Sequence, residues 1–176
     1  MNPIIPIIGF VLIGAFLAKK KAPTSGSSSD PSWDPAWGTP GEWDRAYPDA
    51  DPSRPLPVLQ ADIDPGLWKR WLLIKSELQR LGYNPQIFEG GRTQRRQAWL
   101  YGQGRPEFPG GRSGEKVTWT LHSNHPERPA RALDVIDADT GWSDRDFFSA
   151  LGVLAVRYGL KWGGNWEKRD YPHIEL

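Results

Sequence analysis

The chain contains no cysteine. That excludes disulfide frameworks, cysteine zinc knuckles, iron–sulfur clusters and cysteine nucleophiles, and it leaves the redox compartment unspecified. Histidine is scarce, with 3 among 176 residues, so each ring is worth following. A charge excess is missing as well. The 22 basic and 21 acidic side chains leave a formal charge of +1, which offers no general electrostatic grip on nucleic acid. At this length one ordinary domain core is expected rather than two. What the chain does have in quantity is 10 Trp, 17 Pro and 19 Gly.

Residues 1–18 carry no charged side chain and are followed at once by Lys19, Lys20 and Lys21. As a helix the run reaches about 27 Å, close to the hydrocarbon thickness of a bilayer. A secretory signal peptide has its basic residues before the apolar run, whereas here they come after it. Residues 1–21 are therefore expected to be a single-pass membrane anchor with a basic flank, a signal peptide and a buried helix being the alternatives. The positive-inside tendency would keep everything after the lysines on the cytoplasmic face.

From Ala22 to Pro57 the composition shifts to eight prolines, six acidic residues and the Gly/Ser run Ser25–Ser29, with almost no aliphatic side chains. Such a stretch buries too little apolar surface to offset its ordering entropy, so residues 22–57 read as a flexible linker. Trp33, Trp37 and Trp43 interrupt it. They either pack on the following domain or bind a partner.

The folded domain is expected over 58–176. Asp64-Pro65 opens a helix, and Leu67, Trp68, Trp71, Leu72, Leu78 and Leu81 recur mostly at steps of three and four before Gly82, which predicts a helix over 65–81. Gln86–Glu89 reads as a strand, and Thr93 caps a helix over 94–103. Val117–Leu121, Arg131–Ile136 and Tyr171–Glu175 read as strands, and Ser143 caps a helix running to Tyr158. Helices and strands mix without regular alternation, the pattern of a small α+β domain.

The histidines are His122, His125 and His173. Catalytic zinc commonly takes three ligands from His and Asp/Glu and keeps a fourth position open, and His125, Asp134 and His173 can supply such a set. Asp134 lies in the apolar run Ala132-Leu133-Asp134-Val135-Ile136, where a lone carboxylate needs a partner. A metal would serve, and so would backbone amides or a nearby arginine. Asp170-Tyr171-Pro172-His173 adds a second carboxylate, close enough to a metal-bearing histidine to take a proton from water.

Four ordered blocks then resemble one family. They are Gly91-Arg92-Thr93 through Gln97 to Arg105, Ser123-Asn124-His125 leading to Ala130–Asp134, Gly159-Leu160-Lys161-Trp162-Gly163-Gly164-Asn165-Trp166, and Asp170–His173. Together they resemble the zinc D-alanyl-D-alanine carboxypeptidase and L-alanyl-D-glutamate endopeptidase family, which includes many phage endolysins. The resemblance covers about 85–176. It implies a small α+β zinc-peptidase domain with a central antiparallel sheet and flanking helices.

It also implies Zn²⁺ as cofactor, His125, Asp134 and His173 as its ligands, Asp170 as the catalytic carboxylate and Arg92 as the charge-stabilising, substrate-binding arginine. Gln97, Ser123 and Trp162 are expected as further substrate contacts, with Trp162 and Trp166 equally open to core or wall roles. His122 is the competing ligand. One departure stands out: His125 and Asp134 are nine positions apart, two more than the family's usual spacing, so Pro126–Pro129 has to bulge outward.

The resulting expectation is a zinc peptidase cutting peptidoglycan stem peptides between L-Ala and D-Glu, anchored in a membrane through residues 1–18 and associated with a phage particle, possible partners being other virion proteins. The alternatives are a D-Ala-D-Ala carboxypeptidase and a non-catalytic wall-binding protein. No nucleic-acid partner is expected.

Overall fold

The computed structural model describes residues 33–176. The expected anchor over 1–18, its lysine flank and the first part of the 22–57 linker lie outside the described residues. Among the described residues no helix is long and apolar enough to cross a membrane.

A short helix α1 (Glu42–Ala46) precedes the main elements. Helix α2 runs Pro65–Arg80, opened by the Asp64 carboxylate, which accepts from the backbone N–H groups of Gly66 and Leu67. Its buried residues, Leu67, Trp71, Ile74 and Leu78, lie four, three and four positions apart, so they form one apolar stripe. Strand β1 is Pro85–Glu89 and helix α3 is Gln94–Gly102, where Thr93 accepts from the N–H of Arg96 as expected. Strand β2 (Ala132–Asp137), helix α4 (Arg145–Arg157), strand β3 (Lys161–Trp162) and strand β4 (His173–Glu175) complete the domain.

The four strands form one antiparallel sheet in the order β1-β2-β4-β3. Helices α2 and α4 pack on each other and share one core with the sheet: Leu67, Ile74, Leu133, Val135, Phe147, Leu151 and Ile174 are all fully buried there. Each such side chain contributes about 1.5–3 kcal/mol through removal from water. The fold is thus the expected α+β arrangement.

Two expected elements differ. Val117–Leu121 forms no strand, and Val117 and Trp119 are largely exposed. The alternation of apolar residues there lacks a sheet neighbour to bury one face. The cap of α4 is Asp144, which accepts from the N–H groups of Asp146 and Phe147, while the Ser143 hydroxyl instead donates to the Thr140 carbonyl. Strand β3 is too short for its side chains to display a period.

The described part of the Pro-rich segment is packed. Trp43 is 1% exposed, clusters with Leu56 and Ala130, and donates its indole N–H to the Glu127 carbonyl at 2.7 Å. Its ring occupies the space beside Gly91, where a Cβ would come within 2.3 Å of it. Asp44 caps α3 from outside, accepting from the backbone N–H groups of Gln94 at 2.9 Å and Arg95 at 3.1 Å. Of the two roles open for the tryptophans, Trp37 and Trp43 take the packing one: Trp37 also donates, to the Pro109 carbonyl at 3.2 Å.

Candidate metal centre

Strand pairing builds the site. Side chains alternate across a strand, so Leu133, Val135 and Ile174 enter the core while Asp134, His173 and Glu175 face a cavity on the other side. The antiparallel register sets Asp134 opposite His173 and Ala132 opposite Glu175. His125 arrives from a loop whose path is pinned on both sides. Its carbonyl accepts from the Arg92 N–H at 3.1 Å, and after a turn over the extra residues the chain returns at Ala130, which donates to Asp62 and accepts from Asp64. The Trp43 indole holds that turn at Glu127. The two additional residues therefore leave as an outward turn without displacing either ligand.

His125 Nε2, Asp134 Oδ1 and His173 Nδ1 form a triangle with edges of 3.3, 3.1 and 3.2 Å. Tetrahedral zinc with bonds of about 2.0–2.1 Å has ligand–ligand edges of about 3.3 Å. Each ligand is also aimed by a second partner. His125 Nδ1 lies 2.6 Å from the Gly90 carbonyl, so that nitrogen carries the N–H and Nε2 presents its lone pair. His173 Nε2 lies 3.2 Å from Glu175 Oε2, which leaves Nδ1 for the triangle. Asp134 Oδ2 accepts from Arg92 Nη2 at 2.9 Å, freeing Oδ1. Three electron pairs converging in a buried place require a cation, and two imidazoles with one carboxylate suit zinc.

The electrostatics agree. Burial by itself would raise the pKa of Asp134, but the neighbouring histidines and the Arg92 charge hold it well below the usual carboxylate range. Burial would lower His173, yet its bonds to Asp134 and Glu175 push it up to about 9. In the metal-free protein a proton on His173 thus takes the place of the cation. Glu175 is drawn down to about 2, chiefly by His173 and also by Lys161, against the opposing effect of burial.

Asp170 lines the same cavity, which has a volume of about 730 Å³. Its backbone is fixed by Gly163: the Asp170 N–H donates to the Gly163 carbonyl at 3.0 Å, and the Asp170 carbonyl would lie 2.4 Å from any Cβ at that position. The pKa of Asp170 is raised, first by desolvation and then by the charge of Asp134, with the two histidines and Arg92 opposing. A carboxyl in that setting has gained basicity.

The other expected residues divide. Ser123 lines the cavity and its hydroxyl accepts from the His125 N–H at 3.3 Å. Arg92 reaches the cavity wall, but its Nη atoms are committed to Glu89, Asp134 and Gln97 at 2.6–2.9 Å. It therefore presents charge rather than a free hydrogen-bonding fork. Gln97 is fully buried and bridges Arg92 to the Thr120 carbonyl, so it supports the arginine and does not meet a ligand. Trp162 also turns inward, donating to the Tyr171 carbonyl at 2.7 Å with its ring against Gly152 and Gly164. His122 is exposed at the cavity and is not part of the triangle.

Three supporting residues are missing from the sequence reading. Glu175 was detectable, because two positions after His173 on a strand is the same face. Glu89, which pairs with both Arg92 and Arg96, and Asn124, which donates to Glu175 at 2.8 Å, carry no local signal.

Residues 115–176 match the family model described as D-alanyl-D-alanine carboxypeptidase. The match takes in the second, third and fourth blocks and bears out the family resemblance there. No curated protein matches the chain. Together with the ligand triangle, the match indicates a zinc metallopeptidase.

Proposed function

We propose that this zinc peptidase is an endopeptidase that hydrolyses the L-Ala–D-Glu bond of peptidoglycan stem peptides. The observation that carries the reading is the ligand triangle with its fixed tautomers, open on one side to a cavity that also holds Asp170. When bound, zinc supplies Lewis-acid polarisation of a carbonyl and lowers the pKa of water toward 7. Asp170 takes the proton from the attacking water and later delivers it to the leaving amine, a double role its raised pKa supports. Arg92 holds Asp134 in its coordinating orientation and contributes positive charge beside the developing oxyanion. Ser123 shapes the approach to His125.

The description of the matching family favours a second reading, a carboxypeptidase releasing terminal D-Ala. Mass spectrometry of peptidoglycan digested with the zinc-loaded full chain separates them. Endopeptidase action exposes new D-Glu amino termini, carboxypeptidase action releases D-Ala alone, and neither product from a zinc-loaded protein overturns both.

The location follows from the first 21 residues. We read 1–18 as a single-pass anchor, with Lys19–Lys21 favouring a cytoplasmic catalytic domain. Peptidoglycan lies on the other side, so the enzyme reaches it after lysis or from a phage particle, and the anchor favours the particle. Immunodetection in purified particles tests this; absence there removes the virion reading.

A further inference from the structure

Strand β1 carries a β-bulge: Ile87 pairs with Val135 and Glu89 with Asp134, which leaves Phe88 without a partner in the ladder. In a regular strand Phe88 and Glu89 would face opposite sides. The bulge re-aims the strand so that both line the zinc cavity. Phe88 in turn supports Trp142, the two rings meeting edge to face with centroids 4.8 Å apart. Trp142 is presented by the tight turn closing β2, where the Gly141 N–H donates to the Asp137 carbonyl at 2.8 Å. It lines the cavity yet remains 54% exposed, and its indole N–H has no acceptor among the described residues. A large aromatic held out on a cavity wall, with a bulge beneath it, is not explained by the core or by the hydrolytic machinery.

We propose that Phe88 and Trp142 form a subsite for an N-acetylated sugar ring of the glycan strand that bears the stem peptide. The proposal rests on the endopeptidase reading for its geometry. In peptidoglycan the L-Ala nitrogen is amide-linked to the lactyl group of such a sugar. Cleavage after L-Ala therefore leaves the sugar about 7 Å from the scissile carbonyl, two residue-lengths of extended chain. A cavity of about 730 Å³ that accepts this bond also receives the sugar. The two sides of the scissile bond differ in charge. The D-Glu side bears carboxylates, which gain nothing from two neutral rings, whereas the sugar is uncharged. It offers an apolar C–H face to the indole ring, and hydroxyl and acetamido oxygens to the free indole N–H. The enzyme thus selects glycan-linked peptide over free peptide.

The test compares kcat/KM of the zinc-loaded full chain on a disaccharide-linked stem peptide and on the same peptide without sugar. The wild type should prefer the sugar-bearing substrate by about tenfold, Trp142→Ala should bring the ratio near one, and Trp142→Phe should restore much of it. A preference unchanged in Trp142→Ala, or absent from the wild type, overturns the subsite. Should the wild type cleave neither substrate, the endopeptidase reading fails. The subsite is then decided by titrating the peptide-free disaccharide and following indole N–H resonances, assigned by their loss in Trp142→Phe. Movement of the Trp142 signal supports it, and no movement refutes it.

Discussion

Removing the Glu175 carboxylate should weaken zinc binding in a way that depends on pH. Glu175 Oε2 lies 3.2 Å from His173 Nε2 and also accepts from Asn124 Nδ2 at 2.8 Å, tying the loop of His125 to the strand of His173. Loss of such an outer partner of a ligating histidine costs about 10–100-fold in metal affinity, or about 1.4–2.7 kcal/mol. Glu175→Gln keeps the volume but not the charge and should fall at the low end, with Glu175→Ala at the high end. The proton adds a second effect. His173 in the metal-free protein has a pKa of about 9, so below that pH zinc must displace a proton. Wild-type affinity should rise about tenfold per pH unit and level off near pH 9. The same carboxylate supports that competing proton, so Glu175→Gln lowers the proton affinity of His173 and the levelling comes at lower pH. The loss of zinc affinity should therefore be fully visible at pH 9.5 and much reduced at pH 6. Competition against a chelator at both values measures it. An unchanged affinity at pH 9.5, or an equal loss at both, would refute the reasoning.

Asp170→Asn should retain zinc and its melting temperature while kcat drops by at least about 10²-fold, the scale of general-base removal; near-normal turnover at full zinc loading would exclude Asp170 as the base. Trp43→Ala should cost about 3–5 kcal/mol, since it empties a fully packed ring site and releases the turn at Glu127. Calorimetry should show Tm lowered by about 10 °C, and a shift under 2 °C would mean that the segment before residue 58 contributes little. The metal-free protein should lose stability as pH rises from 6.5 to 9. His173 binds its proton more tightly folded than unfolded, so that contribution is whole below 6.5 and gone above 9. Melting curves of the metal-free protein at pH 6 and 9.5 check the sign, and greater stability at 9.5 contradicts it.

Features set by neighbours along the chain were legible. The Asp64-Pro65 start of α2, the stripe positions Leu67, Trp71 and Leu78, and the Thr93 cap depend on contacts within a turn or two, so local pattern carries them. The buried Ile74, by contrast, is absent from the expected stripe, and its expected members Leu72 and Leu81 are exposed. The carboxylate set into Leu133-Asp134-Val135 was equally readable, because a strand's alternation already says that Asp134 faces away from the core. The histidines stand out because the chain has only three, whereas Asp170, one of 21 acidic residues, is picked out by its place three positions before His173 and by the family resemblance.

What local pattern could not carry was decided by partners distant in the chain. Val117–Leu121 has the composition of a strand but pairs with no strand of the sheet. Trp37 and Trp43 lie in a segment whose composition argues against order, and they are ordered by carbonyls 72 and 84 positions away, at Pro109 and Glu127. Gln97 and Trp162 have the chemistry of substrate contacts, yet their polar atoms are taken up by Arg92, Thr120 and Tyr171 inside the protein. The metal centre itself shows the same division. The sequence names three residues able to hold zinc, because ligand chemistry belongs to the side chain. Only the register of β2 against β4, the Gly90 carbonyl and the Glu175 carboxylate decide which nitrogen of each ring faces the metal, because a tautomer is set by the hydrogen bond its other nitrogen makes across the fold.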